Sequence, residues 1–332
     1  YSDFFVPVES NMDAGVRTGV ALSNPRTSSV SVTLNLRDGG GALVANGSVT
    51  ISLAGYGQLA RFIDEIFQGS GIDFSQFRGT LEVNSPAPIN GLALRVSPAE
   101  LATLPVTPSN PESNTLYFAQ FGNGQGVSST LLLINPSATT KASGTVQLLG
   151  SDGKPLSVSI NGTIQNGEFS FETPPQGIAF YKTDGEGGLV VGSAKVNSDI
   201  PIGGTILFAG DIGVAGVAAV RPSTDFLVPI ESDNSIGVQT GVALSNPSGS
   251  TVGVTFLLRD TSGALVPNGV VAVSLAGNGQ LSRFAEQIFQ GQGINFSQFR
   301  GTLEVVAAAP VSGMAILVGP GRLATLPITE VK

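Results

Sequence analysis

Acidic residues recur along this chain at a constant spacing of 222 positions. Two carboxylates held a few ångströms apart are the machinery of a glycoside hydrolase. Asp38 lies in a Gly-rich turn, and Glu82 alternates with Leu81 and Val83, so its side chain should face solvent. The pattern therefore favours turn formation and a solvated strand face over catalysis. The recurring pairs are Glu9/Glu231, Asp38/Asp260 and Glu82/Glu304.

Three arginines recur with the same spacing in a chain of which only 12% is charged. Such repetition indicates ion pairs, or packing of the arginine stems, that every copy of a repeated unit needs. A pocket for a carboxylate ligand is the more specific alternative. The pairs are Arg37/Arg259, Arg61/Arg283 and Arg78/Arg300.

Histidine and cysteine are absent from all 332 residues. This composition excludes Ser–His and Cys–His catalysis, disulfides and thiolate or imidazole metal sites. A calcium site between repeated units would need clustered carboxylates, and only Glu112 and Asp225 lie near the junctions. We therefore predict a protein that is not an enzyme and has no catalytic residue, no metal and no cofactor.

Charge and hydropathy exclude two classes of partner. The formal net charge is −8, from 24 acidic and 16 basic residues, and no basic stretch exists. Because neutralisation of phosphates dominates nucleic-acid affinity, we predict no nucleic-acid partner. Glycine interrupts the longest apolar runs well before the ~20 residues that a helix needs to cross a bilayer, so we predict no transmembrane segment.

An internal repeat organises the chain. Residues 3–106 align without a gap with residues 225–328, and 66 of the 104 positions are identical. The motif TGVALSNP occurs at Thr18–Pro25 and again at Thr240–Pro247, and Asn135-Pro136 occupies the position midway. The spacing predicts three modules at residues 1–108, 115–222 and 223–332, of which the second is a diverged copy. The Pro-rich linker Thr107–Asn114 and a short second junction predict an elongated, semi-rigid array.

Each module is predicted to be all-β. Val30–Arg37 alternates apolar and polar residues, and Asp38–Gly41 provides a hairpin turn. Apolar residues at helical spacing in Gln58–Gln68 predict one short amphipathic helix, with a twin near residues 280–290. Pro174-Pro175 removes that helix from the second module. The aromatic core is predicted to contain Phe62, Phe67, Phe74 and Phe77, with Phe284, Phe289, Phe296 and Phe299 in the third module.

The motifs TGVALSNP, FRGTLEV and ATLPV, set among alternating strands, carry a resemblance. The chain resembles the tandem immunoglobulin-like or fibronectin type III-like β-sandwich modules of bacterial secreted or surface fibre proteins. The resemblance implies an exported scaffold, stalk or fibre component at an extracellular or cell-surface location. The chain also starts at Tyr1 without a Met, which we expect of a mature protein once its signal peptide has been removed, although a trimmed chain would start in the same way.

The expected function is that of an extracellular structural protein whose partners are copies of itself. Both ends of the chain begin or finish almost inside a strand, so head-to-tail contact or strand exchange can build a filament. The predicted partner interface is Phe4, Phe5, Val6, Val8, Leu326, Ile328 and Val331. The alternative is an adhesin or glycan-binding stalk with surface glycans or other surface proteins as partners, although Trp is absent and Tyr numbers only four. A third hypothesis is that the chain is an accessory part of a larger enzyme.

Overall fold

The computed structural model describes residues 1–98, 100–211 and 213–331. Strands dominate these residues, and two one-turn helices accompany them. Every ladder between the strands is antiparallel, as in the pairing of β1 (Asp3–Asn11) with β6 (Gln76–Asn84). The all-β prediction is confirmed. The strands are described below in three groups, each named by its order along the chain.

The first strand group contains two antiparallel sheets. One has the strand order β4-β3-β6-β1-β9 and the other β5-β2-β7-β8. Every second side chain of β2 and β3 is buried, because a strand with one face on a core alternates with a period of two. The remaining elements of this group are β2 (Arg17–Ser23), β3 (Val30–Asp38), β4 (Leu43–Leu53), β5 (Gln58–Phe62), α1 (Ile63–Ile66), β7 (Asn90–Ser97), β8 (Glu100–Leu104) and β9 (Thr107–Pro108).

The second strand group repeats this plan with an extra hairpin. Its sheets have the orders β10-β17-β12-β15 and β16-β11-β18-β19, and β13 pairs with β14. Its elements are β10 (Thr115–Asn123), β11 (Ser128–Ile134), β12 (Ala142–Gly150), β13 (Ser157–Ile160), β14 (Thr163–Asn166), β15 (Glu168–Thr173), β16 (Ile178–Lys182), β17 (Val190–Ser198), β18 (Gly203–Gly210) and β19 (Gly213–Ala218).

The third strand group resembles the first, except that one long strand joins its two halves. β25 pairs with β20 and β22 on one side of the group and with β21 and β26 on the other. In the first group Pro86 and Pro88 lie between the corresponding strands, whereas β25 contains only Pro310 and so loses one backbone donor fewer. The elements are β20 (Ser223–Asp233), β21 (Gln239–Ser245), β22 (Val252–Asp260), β23 (Leu265–Leu275), β24 (Gln280–Phe284), α2 (Ala285–Ile288), β25 (Gln298–Gly319), β26 (Arg322–Leu326) and β27 (Thr329–Glu330).

The predicted helix is present but much shorter than its predicted range. Residues 58–62 form β5, which pairs with β2 from Gly19 opposite Phe62 to Ser23 opposite Gln58, and only Ile63–Ile66 are helical. The prediction of a helix over 58–68 was therefore wrong for its first half, and the same holds for 280–290. Pairing with a distant strand satisfies the backbone groups that a helix would have satisfied locally. No helix occurs among residues 165–180, as predicted.

Half of the predicted phenylalanine core is fully enclosed. Phe67 and Phe74 are 5% and 8% exposed, whereas Phe62 and Phe77 are half-buried. The third group repeats the division, with Phe289 and Phe296 buried and Phe284 and Phe299 half-buried.

The three groups do not form a simple row. β19 of the second group packs against β8 of the first and β26 of the third, and β8 also contacts β26. The elongated array expected from the short junctions therefore gives way to an arrangement in which the first and third groups touch. No helix in the described residues has the length and apolar character needed to cross a membrane.

Candidate assembly surfaces

The N-terminal residues predicted to contact a partner lie in the interior of the first group. Phe4, Phe5, Val6 and Val8 are at most 1% exposed. β1 pairs along its whole length with β6, and Phe4 and Phe5 also pair with β9. These side chains form part of the core, and exchange with another copy would first have to withdraw a paired strand. Strand exchange stays a prediction.

The C-terminal residues of the same prediction lie nearer the surface. Leu326 and Ile328 pack at the edge of the third core and are only partly buried. Val331 is 43% exposed. The two predicted ends therefore differ, since only the C-terminal end offers accessible apolar atoms.

Most of the recurring charges pair with one another. Arg37 contacts Glu82 at 2.7 Å, and Arg259 contacts Glu304 at the same distance. Glu9 receives hydrogen bonds from Arg95 at 2.8 Å and from Arg78 at 3.1 Å. These contacts agree with the ion-pair interpretation of the repeated arginines.

Burial and the contacts with Arg95 and Arg78 determine the pKa of Glu9. Burial raises the pKa of its carboxyl group, but hydrogen bonding to Arg95 and the positive charges of Arg95 and Arg78 outweigh burial and lower the pKa below the usual 4.5. Glu9 therefore stays ionised and holds two arginines at the edge of the first group. Within the described part of the chain, no three acidic side chains come close enough together to hold a metal ion.

A polar clamp recurs in all three groups at the Asn-Pro turns. The Asn24 amide donates hydrogen bonds to the carbonyl oxygens of Ser28, Leu53 and Ala54, at 2.8, 3.2 and 3.0 Å. Asn135 and Asn246 each donate three equivalent bonds. The sequence indicates a turn at Asn-Pro but not this clamp, which ties the turn to a distant strand end.

The contact between the first and second groups uses a hairpin tip. Gly39–Gly41, between β3 and β4, lies against the turn Pro174–Gly177 that precedes β16. The Ile178 N–H donates to the Gly39 carbonyl at 3.1 Å. A Cβ on Gly41 would lie 1.9 Å from the Pro175 carbonyl oxygen, so only glycine allows this approach.

Side chains extend the same contact. The Thr80 hydroxyl donates to the Gln176 carbonyl at 3.2 Å, and the Arg78 guanidinium lies 5.1 Å from the centre of the Phe180 ring. Apolar residues of the second group pack into the core cluster of the first: Leu132, Ile134, Ile178, Leu207 and Val214. The interface thus combines a hydrophobic patch with backbone hydrogen bonds at its rim.

The contact between the second and third groups repeats this geometry. The tip Ser151–Gly153 lies against the turn Ala276–Gly279, and the Gln280 N–H donates to the Ser151 carbonyl at 3.1 Å. A Cβ on Gly153 would lie 2.6 Å from the Gly277 carbonyl oxygen. The Gln280 side chain donates to Gln120, and Ala243, Met314 and Leu323 join the core cluster of the second group.

We call the hairpin tip and the strands beside it the tip surface, and the turn and sheet face that receive it the seat surface. The strand registers make Gln58, Ile178 and Gln280 equivalent seat positions, because each lies opposite the residue that precedes the clamping asparagine. The chain therefore uses one mode of contact twice, from the tip surface of one group to the seat surface of the next. Sequence reasoning missed these surfaces, although the glycine shared by all three tips was a signal.

Comparison with known proteins gives little. No family model and no curated protein matches the chain. A structure of Thermotoga maritima 1070 is 14% identical over 33% of this chain and 94% of its own, with a TM-score of 0.25. The T13 particle of IBDV is 11% identical over 98% of this chain and 74% of its own, with a TM-score of 0.13. The VP2 subviral particle of infectious bursal disease virus is also 11% identical, over 98% and 78%, with a TM-score of 0.15. At these TM-scores the likenesses carry no argument.

Proposed function

We propose that this chain is an extracellular structural protein, a subunit of a filament or surface assembly built from three tandem immunoglobulin-like modules. The observation that carries the proposal is the repeated contact from tip surface to seat surface, seen at Gly41 and again at Gly153. A contact used twice in one direction along a chain is heterologous, and contacts of this type extend into chains of units.

The distribution of polar groups supports a structural role. Glu9, Glu82 and Glu304 are paired with arginines, so they contribute to the stability of their groups. The resemblance to modules of secreted and surface proteins supports the location outside the cell.

Electron microscopy of negatively stained native material, combined with fractionation of the producing cells, tests this function. We expect fibres or ordered surface material in the extracellular or envelope fraction. Dispersed particles that bind an array of surface glycans would favour the adhesin alternative. A soluble pool inside the cell without any assembly would refute the proposal.

A further inference from the structure

Among the residues that the structure describes, no other group covers the seat surface of the first group. Leu92 and Leu101 are 46% and 60% exposed, whereas the equivalent Met314 and Leu323 of the third group are 4% and 9% exposed. Tyr56, in the turn that precedes β5 and belongs to the same seat surface, is 75% exposed. In the second group the equivalents of Leu92 and Leu101 are also covered: Thr205 and Val214, at 2% and 4%.

Gln58 completes the open seat surface. Its equivalents Ile178 and Gln280 are each 5% exposed and donate their N–H groups to the preceding tip, whereas Gln58 is exposed. No tip lies over it among the residues that the structure describes. The first group therefore presents a complete seat surface, with a backbone donor at its rim and two leucines at its centre.

The tip surface of the third group is open in the complementary way. Gly263 has the same backbone conformation as Gly41, with φ of +84° at both, but a Cβ on Gly263 would meet nothing within 4 Å. Thr302 is half-buried, whereas the equivalent Thr80 is fully buried under the second group. Arg300 is 76% exposed beside Glu231. Among the described residues, no seat surface covers the tip surface of the third group.

The open seat surface of the first group lacks the polar residues that end a stacked array. Terminal units of repeat proteins carry a polar outer face, because an apolar end would otherwise continue the stacking. Here Leu92, Leu101 and Tyr56 remain on the surface of the first group. An exposed apolar patch rimmed by hydrogen-bonding groups marks an interaction site.

We infer that the tip surface of the third group in one copy docks onto the seat surface of the first group in a second copy. This inference rests on the proposed function and names its partner and its contact. The occupant is a second copy of this chain, because a tip surface already docks onto a seat surface twice within one copy, at Gly41 and at Gly153. Residues 3–106 and 225–328 share 66 of 104 positions, so the third tip meets a seat closely similar to the one that receives the second tip.

Equivalent positions define the contacts of the docked state. The Gln58 N–H donates to the Thr261 carbonyl, as Gln280 does to Ser151. Leu101 lies in the interface as Leu323 does in the contact between the second and third groups.

Two single-surface variants test the docking. Leu101→Lys places a charge on the seat surface, and Thr261→Arg places a charge and a long side chain on the tip surface. Both positions are exposed within one chain, so folding should be retained; circular dichroism and the thermal midpoint check this. Leu101→Met and Thr261→Ser are the matched controls. Leu92→Lys replaces Leu101→Lys if that variant fails to fold.

Sedimentation velocity over a concentration series is the measurement. We expect the wild type and both controls to form a concentration-dependent series of oligomers, and each charged variant to associate roughly 30-fold more weakly, as for loss of a central contact. An equimolar mixture of the two charged variants retains one intact tip and one intact seat. We expect that mixture to form a dimer of one copy of each and nothing larger.

Three results would overturn the inference. They are a wild type that stays monomeric at millimolar concentration, oligomers unaffected by both charged variants, and a mixture that forms no dimer. The proposed function can fail while the docking holds. If the charged variants form the mixed dimer but the protein is found only inside the cell, the function is refuted and the docking is supported. Extracellular fibres that form equally well from both variants retain the function and refute the docking.

Discussion

Replacing Gly41 with alanine should loosen the contact between the first and second groups, whereas the same replacement at Gly263 should leave that contact intact. Both glycines have a φ of +84°, so both substitutions share the strain of a left-handed residue, about 1–2 kcal/mol. They differ in their surroundings. The new Cβ at position 41 lies 1.9 Å from the Pro175 carbonyl oxygen, and at position 263 it lies in open space.

The additional cost at Gly41 follows from that distance. A Cβ and a carbonyl oxygen cannot lie 1.9 Å apart, so the tip must withdraw from Pro174–Gly177 and stretch the hydrogen bond from Ile178 to Gly39. Overpacking costs about 1–3 kcal/mol. An opening equilibrium changed by this amount is shifted roughly 5- to 150-fold.

Hydrogen exchange of the Ile178 amide is the local assay, because this N–H donates across the contact. In dilute single chains, Gly41→Ala should accelerate its exchange by about 5- to 150-fold. Gly263→Ala should leave its rate unchanged and lower only the thermal stability of the third group. Equal acceleration by both variants, or by neither, would refute the reasoning.

Three further changes test what stabilises the first group. Phe67→Ala should cost roughly 3–5 kcal/mol, measured by scanning calorimetry, since Phe67 is 5% exposed. Asn24→Ala should cost about 1–3 kcal/mol in the same assay, because three carbonyl groups lose their donor. Glu9, whose pKa is lowered when folded, stabilises the fold above its unfolded pKa, and this stability is lost as pH falls through the lower folded value. Glu9→Gln should therefore lose less stability than the wild type when the pH is lowered below about 4.5.

Matched controls separate these effects from general damage. Phe77→Ala should cost less than Phe67→Ala, because Phe77 is only half-buried. Ser28→Ala should leave the Asn24 clamp intact, since Ser28 contributes only its carbonyl group. Glu231→Gln should cost less stability than Glu9→Gln, because the Glu231 side chain is more exposed and contacts one arginine among the described residues. Indistinguishable results within any of these pairs would contradict the corresponding assignment.

Local patterns in the sequence predict the strands well but misjudge the region before α1. Val30–Arg37 alternates cleanly, and β3 has the burial that the alternation predicts. In residues 58–67 the apolar spacing also suits a helix, yet β5 forms because β2 lies beside it. Nothing local reveals that neighbour, since it precedes β5 by some 40 residues in sequence. Pairing between distant segments therefore decided the range of both predicted helices, since β24 pairs with β21 as β5 pairs with β2.

The assembly surfaces are hidden from the sequence for a different reason. Position 101 and position 323 are both leucine within the shared segment LATLP, but one side chain is 60% exposed and the other 9%. The difference arises from the neighbour that each group has in the chain and not from the residue itself. The repeated arginines indicated ion pairs as one of two alternatives, but Glu82 was expected to face solvent, whereas its side chain is 13% exposed and contacts Arg37.

The geometry of the internal contacts also limits the form of any assembly. Thr103, Gly216 and Thr325 occupy equivalent positions in the three groups. The Thr325 hydroxyl donates a hydrogen bond to the Gly216 carbonyl at 2.7 Å. A Cβ on Gly216 would lie 2.2 Å from the Thr103 carbonyl oxygen. Equivalent strands of the three groups therefore meet, since β19 lies against both β8 and β26 and β8 also contacts β26. The tip at Gly263 nevertheless meets nothing within 4 Å, so three groups do not close on themselves. A heterologous contact whose rotation fails to close generates a helix. Docking of further copies by the same contact should therefore produce an open helical filament.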